Sequence, residues 1–436
     1  MALGGGSFTK QNKELPGAYI NFVSAASASA ALSDRGIATM PLELDWGVEG
    51  KVFEVTNEDF HRNSMKLFGY AADDPKLKGL RDLFLGARTL YAYRLNGGGI
   101  KAKNDFATAL YSGVRGNDLK ITIQANADDT AKFDVATYLG AARVDLQIVA
   151  KAADLVANDY VIFQPGAELA VTSAAPLTGG TNGTVDGTAH QAYLSKIESY
   201  TYNTMGVAVT DEVTKKLYVA FNKRLRDEMG AKFQVVLYRA DAADYMGVIS
   251  VKNKIQDEGL SEAGLVYWVT GIECGCAVNK SCQNKKYDGC LVVDTDFTQN
   301  ELLQAIRDGE LVLHRVNADI RVLKDINTMT TVTDSQGEIF KDNQTVRVVD
   351  QIGNDLAVLF ATKYLGAVPN DAAGRVSLWS DIVAHHRELE KIRAIEDFSE
   401  SDVMVEAGES KNSVVITDLV TVVNAMSKLY MTCTIQ

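Results

Sequence analysis

Residues 428–436 read KLYMTCTIQ, and the way this stretch is paired decides what kind of fold the chain can have. Leu429, Met431, Cys433 and Ile435 fall on one side of an extended backbone, with Lys428, Tyr430, Thr432, Thr434 and Gln436 on the other. That period-2 alternation belongs to a half-buried strand, which needs a sheet edge to add to. The segment therefore pairs either within its own molecule or with the sheet of another.

Just upstream, VMVEAG and SVVITDLVTVV read as further strands. Before them, a helix is expected from about 376 to 394. It places Trp379, Ile382, Val383, His386 and Leu389 on one side and Asp381, His385, Glu388 and Lys391 on the other. Beyond the Pro369-Asn370 turn, a longer helix over about 343–365 puts Val349, Ile352, Leu356, Leu359 and Phe360 on its apolar face. ELVLHRV and DIRVLKDI form a hairpin around Asn317-Ala318, preceded by a helix that starts on the capping-box pair Thr298 and Glu301 and ends at Gly309. Thr210 can cap a helix that buries Val213, Leu217, Phe221, Leu225 and Met229 at i, i+4 spacing, with FQVVLYR and GVISVKN following as strands.

Residues 36–95 have the same alternating α/β character. IATMPLEL and TLYAYRL are strands, Thr56 followed by Asn57, Glu58 and Asp59 is a capped acidic helix start, and Leu77, Leu80 and Phe84 mark a second short helix. Between NGGG (96–99) and LTGGTNGTVDGT (177–188) the pattern changes to short strands, DLKITIQ, RVDLQIV, DYVIF and ELAVTS, divided by Gly, Asn and Asp. This predicts a β-rich domain inserted into an α/β host. No period of about 20–50 residues repeats, which excludes solenoids and propellers.

With 436 residues, 46% of them hydrophobic and 23% charged, the chain is long enough for several self-sufficient cores. No apolar run approaches the ~20 residues of a membrane span. The start, MALGGGSFTKQNKELPG, has neither a basic n-region nor an apolar h-region, so no secretion signal is expected. A net charge of −12 with scattered Lys and Arg argues against nucleic acid as a main partner. Five cysteines, four of them within 274–290, do not resemble a secreted disulfide framework and fit synthesis in a reducing cytoplasm.

Candidate chemistry is sparse. Cys274, Cys276, Cys282 and Cys290 could bind zinc as thiolates, but CxxC pairs and a nearby His are missing. LVYWVTGIECGCAV reads better as an apolar, small-residue helix in close contact with a sheet, its cysteines acting as small hydrophobes. His385 and His386 stand beside Glu388 and Glu390, yet adjacent helical residues point about 100° apart and cannot share a metal as HExxH does. On this spacing His386 sits at the core edge and His385 faces solvent or a partner. GGTNGT lacks the Lys-Ser/Thr ending of a phosphate loop, and no Ser, Cys or His arrangement suggests a triad.

Several short motifs, in order, carry a resemblance. LPGAYINFVSAA, RGIATMPLELDWG with TNEDF, SGVRGNDLKITI, LTGGTNGTV, AVNKSCQNKKYDG, RVLKDINTMTT, VRVVDQIGND and AIEDFSESDVMVE together resemble the contractile tail sheath proteins of phages and phage-tail-like bacteriocins, most closely those of Gram-positive myophages and diffocin-like particles. The resemblance implies a structural subunit without cofactor, assembled as hexameric rings stacked around a tail tube, with baseplate and tail terminator proteins as further partners. It also implies contraction that drives the tube through a cell envelope. Made in the bacterial cytoplasm, the protein would form the outer layer of a tail.

The expected fold is then α+β and multidomain. An α/β sandwich-like core (24–98 and 188–342) is split by an inserted β-rich outer domain (99–187), and a C-terminal conserved domain (343–436) follows. The resemblance implies terminal arms, residues 1–23 and 428–436, that donate strands to neighbouring subunits through Ala18, Ile20, Phe22, Leu429, Met431, Cys433 and Ile435. It also places the helix 376–394 against the tube, with Asp381, His385, Arg387, Glu388 and Lys391 facing it; an ordinary solvated face is the alternative for these five. Two other readings of the whole chain stay open: a non-contractile tube or coat protein, and a metal-dependent enzyme using the Cys274–Cys290 cluster.

Overall fold

The computed structural model describes residues 32–435. They divide into two compact units, one built from residues 34–350 with 424–435 and the other from 32–33 with 351–423.

The larger unit opens with β1 (Ile37–Leu42), β2 (Phe53–Thr56), α1 (Asn57–Phe68), α2 (Lys78–Phe84) and β3 (Thr89–Arg94). Thr56 caps α1 in a full capping box with Asp59, and Gly69 ends it in the left-handed conformation. The chain then forms β4 (Ala107–Ala109), β5 (Leu119–Ala125), β6 (Phe133–Leu139), β7 (Ala142–Val149), β8 (Val161–Phe163) and β9 (Thr172–Pro176). β7, β6, β5 and β9 make an antiparallel sheet in that order, and β4 pairs with β8. These strands enclose their own core of Leu119, Ile121, Ile123, Val135, Val161 and Leu177. The central strand β6, sequence FDVATYL, has too interrupted an alternation to be expected, whereas ELAVTS pairs only from Thr172 onward.

After α3 (Gly187–Ile197) come β10 (Thr204–Val207), α4 (Glu212–Lys223), β11 (Gln234–Tyr238), β12 (Val248–Val251), α5 (Leu265–Gly275), α6 (Gln299–Arg307) and β13 (Glu310–Leu311). The main sheet has the order β13-β12-β11-β10-β1-β3-β2, parallel except for β2 at one edge. Strand order therefore reverses between β1 and β10, and the β4–β9 region occupies the connection from β3 to β10. Successive residues of β11 face opposite layers: Val236 and Tyr238 join the α2/α5 core, Val235 and Leu237 the α3/α4 core. Burial on both faces explains the unbroken apolar run of a parallel strand. β14 (Leu313–Val316) and β15 (Asp319–Val322) form a hairpin whose loop holds Asn317 at φ 55°.

α4 departs from its expected face. Asp211, not Thr210, caps it, and Val213 and Met229 are exposed while Tyr218, Phe221, Asn222, Leu225 and Arg226 are buried. A strict i, i+4 row drifts by about 40° per step at 3.6 residues per turn, so the two ends of a five-member row leave the buried face. α5 packs against α2 and not only against the sheet. A Cβ on Gly271 would stand 2.2 Å from the Leu83 carbonyl oxygen, and one on Gly86 2.3 Å from that of Gly271, so the two backbones touch.

The loop at Asp244 ties β11 and β12 to the segment after β15. Its carboxylate accepts the amides of Thr330 (2.7 Å) and Thr331 (3.0 Å) and both hydroxyls. Burial alone would raise its pKa, but these hydrogen bonds together lower it to about 2 from 3.8. A depressed carboxylate contributes stability above its ordinary value and loses it as pH falls towards the folded one. Protection of the Thr330 and Thr331 amides against exchange, relative to the intrinsic rate at each pH, is therefore expected to fall between pH 3.8 and about 2, and Asp244→Ala should show that low protection already at neutral pH.

α7 (Asn343–Leu359) runs across the division between the units and continues as a π-helical segment, Phe360–Tyr364. In the smaller unit follow α8 (Ala372–Lys391), β16 (Ile395–Glu396), β17 (Val403–Ala407), β18 (Val414–Asp418) and β19 (Thr421–Val422). β17 and β18 form a hairpin against α8, and β16 pairs with β19. The indole N–H of Trp379 donates to the Val403 carbonyl at 3.0 Å.

α7 also differs from expectation. Its buried positions include Arg347, Asp350, Gln351 and Asp355, whereas Val349 is exposed and Ile352 and Leu356 are only half-buried. Inside the larger unit, Arg226 and Asp350 pair bidentately at 2.6 and 2.7 Å. Paired charge holds the inward face of α7, so apolar periodicity points the wrong way.

Candidate functional site

Residues 426–435 form no strand pairing with any described residue. The chain is still anchored just before them: Ala425 N–H donates to Gln344 Oε1 at 2.9 Å, and Asn424 bonds Thr345 Oγ1 at 3.1 Å. Beyond that point both faces of the alternation are open, with Leu429 87%, Tyr430 86%, Met431 80% and Ile435 90% exposed. Cys433 is exposed as well. Ala18, Ile20 and Phe22 lie outside the described residues.

The proposed contact helix is α8. Arg387, Glu388 and Lys391 are exposed and already held locally: Arg387 to Glu390 at 2.8 Å, Lys391 to Glu388 at 3.2 Å. Asp381 is half-buried and accepts from Lys363 at 2.6 Å and from the Tyr364 hydroxyl. His385 corrects the expectation of an outward ring, because it is as buried as His386. Its Nε2 meets Asp355 at 3.0 Å, its Nδ1 meets His386 Nδ1 at 3.3 Å, and His386 Nε2 meets Asp418 at 2.8 Å. Asp355 also takes Ser33 Oγ at 2.5 Å and Gln351 Nε2 at 2.8 Å. α8 is covered on two sides, by α7 and by β18, so residues about 100° apart are both enclosed. A surface role for His385 is thereby removed.

The cysteines do not form one cluster. Cys274 is buried against the Gly271 carbonyl, and Cys290 is exposed beside Lys78 and Asp82. Cys282 belongs with Glu273 and Asp325, whose ligand atoms all lie within 4.8 Å of one another. Three such groups could hold a cation, but one is already supplied by the chain. Arg347, itself buried, reaches Glu273 at 2.6 Å and Asp325 at 3.5 Å, and donates to the Lys280 carbonyl at 2.6 Å. Asp325 further accepts from Ser281 Oγ (2.9 Å), Cys282 N–H (2.8 Å) and Asn343 Nδ2 (2.8 Å). Burial, then the Asp325 charge, holds Glu273 well above the usual carboxylate range. Burial would raise Asp325 too, but Arg347 and these donors outweigh it and keep it ionised. With the Arg347 guanidinium already between the two acids, the set is a charge-compensated core and not an open coordination site.

A cleft of 330 Å³ opens where strand order reverses, past the ends of β1 and β10. In α/β sheets that is where ligands bind. Its lining is mainly Leu42, Leu44, Leu80, Val209, Ile255 and Leu260, and it contains neither Cys nor His. Lys76, at its rim, is held by Asp45 and Tyr70.

Comparison with known proteins agrees along the chain. Residues 35–95 match the tail sheath protein Gp18 domain III N-terminal region, 97–182 the phage tail sheath beta-sandwich domain, 183–328 the phage tail sheath central domain, and 335–436 the phage tail sheath C-terminal domain. The solved sheath tail protein from Desulfitobacterium hafniense is 35% identical, covering 93% of this chain and 100% of that one, with a TM-score of 0.81. Among curated relatives, YqbK of Bacillus subtilis (strain 168) is 32% identical, and the phage-like element PBSX protein XkdK of the same strain is 31% identical. Each alignment covers 98% of this chain and 99% of the relative.

The chain belongs to the phage tail sheath protein family. It is a tail sheath subunit, and that membership implies a structural protein. No helix among the described residues is long and apolar enough to cross a membrane.

Proposed function

We propose that this subunit polymerises as stacked hexameric rings around a tail tube, and that the rings rearrange from extended to contracted to drive the tube through a target cell envelope. The observation that carries the reading is the 426–435 segment. It has the alternating sequence of a strand and no strand partner among the described residues, so its stripe of Leu429, Met431, Cys433 and Ile435 is buried only against an edge that another subunit supplies. Residues 1–23 are proposed to act in the same way at the other end. In this reading 24–98 with 188–342 form the core, 99–187 an inserted β-rich outer domain and 343–436 the C-terminal conserved domain. Tube, baseplate and tail terminator proteins are the further partners.

Arg387, Glu388 and Lys391, with Asp381 at the margin, are proposed to face the tube. Exposed pairs of this kind are weak and screened by salt, which suits a contact that must release. Arg387→Glu with Lys391→Glu should leave the monomer folded and reduce the fraction of extended particles; an unchanged fraction would count against the assignment. The deciding experiment is electron microscopy of the expressed protein with and without its tube. Wide striated cylinders are expected, and smooth thin tubes or closed shells would refute the sheath assembly.

A further inference from the structure

The smaller unit contains a cleft of 400 Å³, larger than the one at the sheet's reversal point. It opens where the π-helical end of α7, the turn into α8 and the loop of the β17–β18 hairpin meet. Phe360, Tyr364, Leu365, Val368, Leu378 and Val414 supply its apolar wall. Small-molecule sites are clefts of about 300–1,000 Å³, mainly apolar, with a few convergent polar groups that set the ligand's chemistry. Here the charged groups are of one sign. Arg375 and Lys411 are the charged residues in the lining, and neither has a carboxylate within ion-pair distance among the described residues. By contrast Lys363, Arg387 and Lys391 of the same unit each have one, at 2.6, 2.8 and 3.2 Å. Asp371, one helical turn before Arg375, is engaged in capping α8, where it accepts the Gly374 amide at 2.8 Å.

Asn370 fixes the backbone that carries these two cations. Its Nδ2 donates to the carbonyls of Lys411 at 3.1 Å and Ser413 at 2.8 Å. Its own carbonyl and its Oδ1 accept from Arg375 Nη1 at 3.2 and 3.1 Å. The start of α8 and the hairpin loop are thereby joined through one side chain, and the cleft is built before any ligand arrives. Among the described residues every hydrogen bond of the Arg375 side chain uses Nη1, so the rest of its planar fork stays available.

We propose that this cleft binds a single-chain amphiphilic carboxylate, its hydrocarbon body against the apolar wall and its head shared by Arg375 and Lys411. Charge complementarity selects the class: two unneutralised cations at one small cleft both gain from a common counter-ion, and an open guanidinium fork takes a carboxylate at two points. The volume admits one short chain and excludes a two-tailed lipid. The net charge of the whole chain is −12, so its long-range field attracts cationic amphiphiles. A preference for the anion therefore has to come from these two side chains.

The test irradiates the purified full-length protein with a diazirine-bearing octanoate, maps the labelled tryptic peptides, and competes the label with octanoate, octanol or octylammonium. Label is expected on peptides 364–375 and 412–428, which carry the turn into α8 and strand β18. Octanoate should displace it at a concentration about tenfold lower than octanol, the gain from charge-assisted hydrogen bonds, with octylammonium the weakest of the three. Arg375→Gln with Lys411→Gln should bring octanoate to the level of octanol while the circular dichroism of the protein stays unchanged. Label gathered at the cleft of Leu42 and Leu80 instead, equal displacement by the three competitors, or an octanoate advantage that survives the double substitution would each overturn the proposal. Mapping and competition on the unaltered protein decide the matter even if the double variant does not fold.

Discussion

Arg347→Met is expected to destabilise the larger unit by about 3–5 kcal/mol, the cost of removing one partner from a buried ion pair. Its guanidinium is fully enclosed, and it is the cation that faces both Glu273 and Asp325. Burial and the Asp325 charge hold Glu273 well above the usual carboxylate range, whereas Asp325 is held below its own, so Asp325 is the acid that depends most on the Arg347 charge. Asp325 is ionised and would keep three donors but lose its countercharge. It must then either take up a proton or hold a charge in a dry core. Denaturant unfolding followed by circular dichroism at neutral pH measures the loss. Arg347→Met combined with Asp325→Asn should recover a substantial part of it, because the stranded charge is gone. A double variant no more stable than the single one would mean that Arg347 acts through packing alone.

Deleting residues 428–436 is expected to abolish polymers and leave the unfolding of the subunit unchanged. In the isolated chain these side chains are almost fully exposed, so the fold has little to lose. In an assembly, four apolar side chains gain ~1.5–3 kcal/mol each, or about 6–12 in all, against ~1–2 kcal/mol of backbone ordering for each of nine residues. One segment alone is therefore close to break-even. Ladder hydrogen bonds, and several simultaneous attachments per subunit, shift the balance towards the lattice. A milder change separates the two faces: Leu429→Asp with Ile435→Asp should block assembly, whereas Thr432→Asp with Thr434→Asp should be tolerated. Sedimentation and electron microscopy read both outcomes. Equal effects from the two pairs would exclude a one-sided strand.

Much of the fold can be read from local signals, because those signals are the forces that form the elements. The capping boxes at Thr56 and Thr298, the αL glycine after α1 and the largely apolar β11 and β12 each state their own structure. The failures share one cause. On α7 the inward face is chosen by charges that find partners far away in the chain, such as Arg226 with Asp350, and periodicity contains no term for that. His385 shows the same blindness, since only the fold brings Asp355 and Asp418 to either side of a helix. The Arg347 cluster gathers Glu273, Cys282 and Asp325 from three separate segments, and no spacing in the sequence announces it. The tail is the opposite case: its alternation was plain, and what the chain could not reveal was whose edge it meets.

The bare contact between α2 and α5 bears on how the subunit carries load. Where the Gly86 and Gly271 backbones touch, no side chain is left to bend or change rotamer, so there is nothing soft between the two helices. A push on one is handed to the other without slack. At those few positions any added carbon would act as a wedge that forces the two backbones apart.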